Sequence, residues 1–210
     1  MSTQDAPQLV EMPLFPLSTV LFPGGYVPLN VFERRYVDMT RACLLHHTTF
    51  GVVLIKAGFE TGRPAVPWDL GCTARIVDHR EPRPDVFQLL GRGEARFRIH
   101  DHRAHPDGLL VGSVELLAPA PPMSAPDEYA WFAALLRRIL GTLHTRLRTD
   151  EERFDDANWV ACRIAERLPI IPERKQRLLA AEPGMPLLNA LAAELHALDL
   201  GPDAGAPAAS

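Results

Sequence analysis

The chain has 210 residues, of which 47% are apolar and 23% charged, and its formal net charge is −4 at pH 7. This composition is that of an ordinary globular protein with one large domain or two small ones. The negative net charge argues against general binding to nucleic acids. No apolar run approaches the roughly 20 residues that span a membrane, and the first residues lack the features of a signal peptide. The sequence therefore predicts a cytoplasmic protein.

The cysteines are few and far apart. Cys43, Cys72 and Cys162 form no CxxC pair. This spacing favours buried, reduced thiols over a disulfide framework or a zinc site.

Prolines dominate the region around residues 13–31 and exclude both a helix interior and a regular central strand. They are Pro13, Pro16, Pro23 and Pro28. We therefore predict two short strands at residues 14–17 and 27–31, joined by an apolar turn at residues 22–25.

A helix is predicted next, at residues 32–45. Asn30 and Glu33 have the spacing of a capping box. Tyr36, Met39 and Cys43 then recur at the period of a helix.

Short strands are predicted from there to residue 117. They lie at residues 50–55, 70–78, 86–90, 95–99 and 109–117. The first is apolar throughout, which indicates a strand buried on both faces. The fourth alternates strictly, with Ala95, Phe97 and Ile99 facing inward and Glu94, Arg96 and Arg98 facing outward. Strands and turns at this spacing predict a small barrel or sandwich.

The composition changes at a proline-rich linker, residues 118–122. Beyond it, apolar residues recur at helical spacing and predict helices that begin near Ser124, Asp156, Glu173 and Leu187. The predicted fold class is α+β, with a β-rich subdomain at residues 1–118 that includes one helix and a helical subdomain at residues 119–200. Residues 201–210 are rich in glycine, proline and alanine and are predicted to be disordered.

Several segments, in this order, resemble the N-terminal substrate-binding domain of the Lon proteases, a module that also occurs as a free-standing protein. They are the region 13–36 with its tetrad Glu33-Arg34-Arg35-Tyr36, FGVVL (50–54), GCTARI (71–76), LGRGEARFRI (90–99), RLP (167–169) and KQRLL (175–179). The resemblance covers residues 13–198. It implies a PUA-like β pseudo-barrel followed by an α-helical bundle. The family commonly has proline where Arg34 stands, and we interpret the tetrad as structural: Glu33 caps, Tyr36 packs and Arg35 forms an ion pair.

The resemblance also implies a function, which is non-catalytic binding of unfolded or extended protein segments, in protein quality control. The sequence has no GxxxxGK[ST] loop for ATP and no GxSxG context for a catalytic serine. We therefore expect a stand-alone member of the family without the ATPase and protease domains, with no enzymatic activity and no cofactor or metal. Protein segments are the expected partners, and neither nucleic acid nor membrane is expected.

Two sets of residues are candidates for contact with a partner. Phe22 and Tyr26 form an exposed apolar patch or, alternatively, cover the end of the barrel. Arg92, Arg96 and Arg98 form a basic ridge on one sheet face, which would suit the alternative function, an RNA-binding PUA-like module. A solvated, ion-paired face is favoured over the ridge, because Glu94 interrupts it and no aromatic ladder accompanies it.

Two further patterns have simple structural explanations. His100, His102 and His105 are close enough for a metal pair, but no cysteine is near them and a solvated strand end is favoured. The segment Gly91-Arg92-Gly93 lacks the third glycine and the lysine of a phosphate loop. We interpret it as a hairpin or a bulge that needs the backbone freedom of glycine.

Overall fold

The structure is a computed structural model that describes residues 8–61, 65–142 and 152–201. It divides into two compact units, Met1–Pro119 and Ala120–Ser210. None of the helices within the described ranges is long and apolar enough to cross a membrane. The predicted disordered tail lies outside these ranges apart from Gly201. Leu143 and Leu147, which continue the apolar stripe of the helix predicted to begin near Ser124, also lie outside them.

The first unit is a six-stranded sheet with one helix. Its elements are β1 (Leu9–Leu17), β2 (Tyr26–Val31), α1 (Arg34–His46), β3 (Phe50–Ala57), β4 (Val66–Arg83), β5 (Val86–Ala104) and β6 (Leu110–Leu116). The strand order is β2-β5-β4-β3-β1-β6. All pairs are antiparallel except β1 with β3, which lie parallel.

The long strand β5 closes the sheet into a barrel. Its first half, residues 87–92, pairs with β2, and its second half, residues 97–104, pairs with β6. The strands β5, β4, β3, β1 and β6 therefore form a ring in which each pairs with its neighbours. The predicted α+β fold is confirmed.

Two apolar clusters lie on opposite faces of the barrel strands. The first, which we call the barrel core, consists of Met12, Leu14, Val53, Phe97, Leu110 and Val114. The second, the helix-side core, includes Phe15, Val52, Cys72 and Phe87, and the α1 residues Tyr36, Val37, Met39 and Cys43 pack within it. Neighbouring residues of β1 and of β3 point to different clusters, as expected for strands with a side-chain period of two. The prediction that residues 50–55 are buried on both faces is confirmed for residues 50–54.

A β-bulge divides strand β5. Cys72 lies opposite Arg96, and Ala74 opposite Gly93, so the single residue Thr73 faces two residues of β5, which are 94 and 95. The amide of Ala95 donates a hydrogen bond to the Thr73 hydroxyl at 3.0 Å. An extra residue of this kind reverses which face the following side chains occupy.

The burial of β5 agrees with this reversal. A Cβ atom at Gly91 or at Gly93 would touch Val27 or Leu21 of the helix-side core, whereas Phe97 belongs to the barrel core. Of the hairpin and the bulge that were predicted at Gly91-Arg92-Gly93, the structure has the bulge. It begins one residue later, at residues 94 and 95. The two separate strands predicted on either side of this segment are wrong, because β5 is continuous from Val86 to Ala104.

Helix α1 begins without the predicted capping box. Asn30 lies inside β2, and Glu33 is the N-cap residue but makes no side-chain cap hydrogen bond. The Glu33 carboxylate instead lies 2.9 Å from the Arg35 guanidinium. The capping role of both residues was therefore predicted wrongly, because the charge of Arg35 competes for the carboxylate.

The second unit is helical. A 3₁₀ turn (Asp127–Tyr129) precedes α2 (Trp131–Thr142), α3 (Ala157–Arg167), α4 (Pro172–Ala180) and α5 (Met185–His196). Asp156 caps α3 by accepting a hydrogen bond from the amide of Asn158 at 3.1 Å. The largest fully buried apolar side chains of this unit are Phe132, Leu136, Ile164, Leu188, Leu191 and Leu195.

Candidate functional site

The structure separates the two aromatic candidates. Phe22 is completely buried, and its backbone lies against Gly93 of β5 so closely that no Cβ atom would fit there. The interpretation of Phe22 as a partner contact is therefore wrong, and Phe22 covers the sheet. Tyr26 is half-buried and lies opposite Arg92 in the β2–β5 pair.

The three arginine candidates do not share one face. Arg92 precedes the bulge and lies opposite Arg75 of β4, whereas Arg96 and Arg98 follow it and lie opposite Cys72 and Leu70. Because the bulge reverses the faces, Arg92 is on the other side of the sheet from Arg96 and Arg98. The three arginines therefore do not form one basic ridge, which was the less favoured interpretation of these residues.

Glu94, which interrupts these arginines in the sequence, has its own partner. Both of its carboxylate oxygens accept hydrogen bonds from Arg75, at 2.6 and 3.1 Å. This two-pronged pairing raises the pKa of Arg75 and agrees with a solvated, ion-paired face.

Two of the histidines are paired with carboxylates. His100 lies 2.8 Å from Glu115 and His105 lies 3.2 Å from Asp107. Within the described ranges, no group of three or more His, Cys, Asp or Glu side chains is arranged to hold a metal ion.

The tetrad at the start of α1 performs two of its three predicted structural roles. Arg35 forms an ion pair with Glu33, and the ring of Tyr36 stacks on Phe15 with 4.1 Å between centroids. The Arg35 guanidinium also donates a hydrogen bond of 2.8 Å to the carbonyl oxygen of Gly108. The helix start is thereby attached to the turn between β5 and β6.

Sequence reasoning missed an exposed apolar group at the loop between β3 and β4. Phe59 of this loop is 82% exposed, and Val66, the first residue of β4, is 50% exposed; we call these two residues the apolar tip. Glu60 beside Phe59 accepts hydrogen bonds from both the amide and the hydroxyl of Ser18. An aromatic residue between Gly58 and Glu60 in a polar loop is the sequence signal that identifies this tip.

A shallow cavity of about 330 Å³, open to solvent, lies beside the turn between β5 and β6. Its walls come from Glu11, Met12 and Pro13 of β1, from His105 and Asp107, and from Leu109 and Val111. No local sequence signal identifies this cavity, because it depends on the pairing of β1 with β6, which lie at opposite ends of the first unit in sequence.

The helical unit contains a largely buried charge cluster. Glu166 of α3 lies 2.7 Å from Arg163 and 3.2 Å from Arg167, and Lys175 of α4 donates a 2.7 Å hydrogen bond to the Glu166 carbonyl oxygen. Burial raises the pKa of Glu166 and lowers that of Lys175. These residues hold α3 and α4 together, and the RLP and KQRLL segments lie here.

Comparison with known proteins identifies the family. Residues 11–191 match the model of the ATP-dependent protease La (LON) substrate-binding domain. The chain belongs to this Lon substrate-binding domain family.

Solved structures of Lon domains have the same fold. The Lon N-terminal domain protein from Xanthomonas campestris is 34% identical, with a TM-score of 0.72 over 89% of this chain and 98% of that one. The N-terminal domain of the Mycobacterium avium complex Lon protease is 19% identical with a TM-score of 0.54, and this similarity concerns the fold alone.

Curated relatives include longer proteins that match this chain over part of their length. Protein cereblon of Danio rerio is 29% identical over 120 residues, which are 54% of this chain and 27% of cereblon. Lon protease 2 of Myxococcus xanthus is 32% identical over 98 residues, which are 46% of this chain and 12% of that protease. The chain therefore aligns with only a small part of either relative.

Proposed function

We propose that this protein is a non-catalytic module that binds unfolded or extended segments of other proteins in protein quality control. The observation that carries the proposal is the match of residues 11–191 to the substrate-binding domain of Lon. We also propose that it acts in the cytoplasm, in line with its three cysteines, none of which forms a disulfide.

The apolar tip is the surface that we assign to this binding. Exposed apolar side chains are where interaction sites concentrate, and Phe59 has the largest exposed fraction among the large apolar side chains of the described residues. The Glu60–Ser18 hydrogen bonds hold the chain beside it, so the backbone of the loop loses less conformational entropy when the ring is covered.

The proposed role requires binding of a protein segment and no catalysis. Covering the Phe59 ring with the apolar side chains of a bound segment would contribute about 1.5–3 kcal/mol. The RNA alternative depended on a basic ridge, and the bulge divides its arginines between two faces. We therefore do not retain it as a second candidate.

Fluorescence anisotropy with a labelled, permanently unfolded protein tests the proposal. The purified chain should bind the unfolded form and not the native form of the same protein. Phe59→Ser should weaken binding about tenfold. Leu45→Ser is the matched control, since Leu45 is 74% exposed but lies on α1, and it should leave the affinity unchanged.

The possible outcomes test the proposed function and the assignment of the apolar tip separately. Equal binding of native and unfolded protein, or no binding of either, would refute the function. Binding of unfolded protein that Phe59→Ser and Leu45→Ser weaken equally would refute only the assignment of the apolar tip. ATP-stimulated cleavage of casein by the pure protein would overturn the non-catalytic part of the proposal.

A further inference from the structure

The cavity beside the β5–β6 turn combines an apolar wall with acidic groups. Met12, Pro13 and Val111 contribute apolar surface from β1 and β6, and Pro13 lies directly opposite Val111 in the strand pairing. The acidic residues Glu11 and Asp107 also line it. Apolar walls with a few placed polar groups are typical of ligand pockets.

We propose that this cavity binds a basic side chain, lysine or arginine, of an extended polypeptide. The inference rests on the proposed function, since it takes the ligand to be a protein segment, and it adds a chemical preference at a second surface. The aliphatic part of a lysine or arginine packs on apolar walls while its charged end stays near polar groups. A cavity of about 330 Å³ is at the small end of ligand pockets and suits one such side chain.

Two contacts fix the position of the Asp107 carboxylate, which can accept a hydrogen bond from a cation. The amide of Leu109 donates a 2.8 Å hydrogen bond to its Oδ1 atom, and His105 approaches the same oxygen at 3.2 Å. Neither contact uses Oδ2. The Leu109 hydrogen bond is the main cause of a lowered pKa at Asp107, so this carboxylate carries its charge at neutral pH.

Glu11 supplies the second carboxylate. It pairs with Arg103 at 2.7 Å, and both side chains are more than half exposed. Exposed ion pairs of this kind are weak, so an incoming cation competes with Arg103 for the carboxylate. Glu11 and Asp107 line the cavity and Arg103 is not among its lining residues, so the acidic groups favour a cationic ligand.

The turn beside the cavity is already held in place by hydrogen bonds before a ligand binds. Arg35 is buried and donates a 2.8 Å hydrogen bond to the carbonyl oxygen of Gly108, which follows Asp107 directly. The amide of Gly108 in turn donates to the His105 carbonyl oxygen at 2.8 Å. Groups already held in place bind a ligand at a lower cost in conformational entropy.

The test uses the full chain and two labelled peptides. One peptide has a central arginine among leucine and serine residues, and the other has citrulline there, which keeps the shape of arginine but not its charge. The wild type should bind the arginine peptide about three- to fivefold more tightly. Asp107→Asn and Glu11→Gln should each reduce this preference below about twofold without changing the affinity for the citrulline peptide.

Asp69→Asn is the matched control, because Asp69 is an exposed carboxylate of β4 outside the cavity. It should keep the preference, and melting curves check that every variant is folded. If Asp107→Asn does not fold, the result for Glu11→Gln alone tests the inference. The exposed Glu11 side chain does not hold the turn in place, so this variant should fold. Equal affinities of the wild type for both peptides, or an equal loss in Asp69→Asn, would overturn the inference. If neither peptide nor unfolded protein binds, the proposed function fails as well.

Discussion

The buried guanidinium of Arg35 donates a hydrogen bond to the carbonyl oxygen of Gly108, which is 73 residues further along the chain. Gly108 has a φ of +85°, and a Cβ atom there would lie 3.2 Å from Arg35 Nη1. Only glycine combines this backbone conformation with so close an approach. One side chain of α1 therefore determines the position of the turn between β5 and β6.

Arg35→Met should lower the free energy of unfolding by about 2–3 kcal/mol, because it removes charged hydrogen bonds to Gly108 and Glu33. Arg34→Met is the matched control: the Arg34 side chain is 72% exposed, so this change should stay within about 0.5 kcal/mol. Urea denaturation of both variants measures the difference. Equal small effects would show that the Arg35–Gly108 bond contributes nothing to stability.

Two glycines give opposite expectations for the same substitution. A Cβ atom at Gly51 would lie 2.6 Å from Phe97 and 2.7 Å from Leu14, whereas one at Gly141 of α2 would meet nothing within 4 Å. Gly51→Ala should therefore destabilise the protein by about 1–3 kcal/mol through overpacking. Gly141→Ala should stabilise it by about 0.5–1 kcal/mol, since alanine has a higher helix propensity than glycine.

Thermal unfolding of Gly51→Ala, alone and combined with Phe97→Leu, identifies the cause. The smaller side chain relieves part of the overlap, so the double variant should be more stable than the sum of the two single changes predicts. Strictly additive effects would mean that Gly51 is needed for a reason other than the packing of Phe97.

Local patterns predicted the type of nearly every element, because proline positions and apolar periodicity act within a few residues. The apolar run at residues 50–55 predicts a strand buried on both faces, and residues 50–54 are indeed buried. Alternation likewise placed Phe97 in the core. The resemblance to Lon domains supplied the family, which the comparison confirms.

Apart from the capping box at Asn30 and Glu33, the errors concern pairing between distant residues. The bulge opposite Thr73 depends on the register of β4 against β5, and no pattern within β5 alone reveals that Arg92 is separated from Arg96. The burial of Phe22 depends on its approach to Gly93. The cavity needs β1 beside β6, and periodicity within one strand carries no information about its neighbour.

The lowered pKa of Asp107 gives a pH dependence with a definite sign. Its main cause is the hydrogen bond from the Leu109 amide, so the folded protein holds the proton of this carboxyl less tightly than the unfolded chain. The resulting stabilisation is present above the ordinary pKa near 3.8 and is lost as the pH falls through the lower folded value.

Asp107→Asn should therefore lower the melting temperature by about 1–3 °C at pH 5. The difference from the wild type should shrink as the pH falls below about 3.8. Asp69→Asn, measured in the same series, should show neither the loss nor the trend. A difference that stays constant down to pH 2.5 would show that the Asp107 charge does not support the turn.

The charge cluster of the helical unit gives the largest expected effect. Glu166 faces the Arg163 guanidinium at 2.7 Å, and the Arg163 side chain is only 2% exposed. Glu166→Gln should lower the free energy of unfolding by about 3–5 kcal/mol, because it leaves a buried cation without its carboxylate. Glu173→Gln at the exposed start of α4 is the control and should change it by less than about 1 kcal/mol.

Replacing both partners separates a missing charge from a missing contact. An Arg163→Met and Glu166→Leu double variant removes the buried ions together, and apolar replacements of a buried pair are often neutral or stabilising. The double variant should therefore be more stable than Glu166→Gln in denaturant titrations. If it is less stable, the cluster holds α3 and α4 together through hydrogen bonds that apolar packing cannot replace.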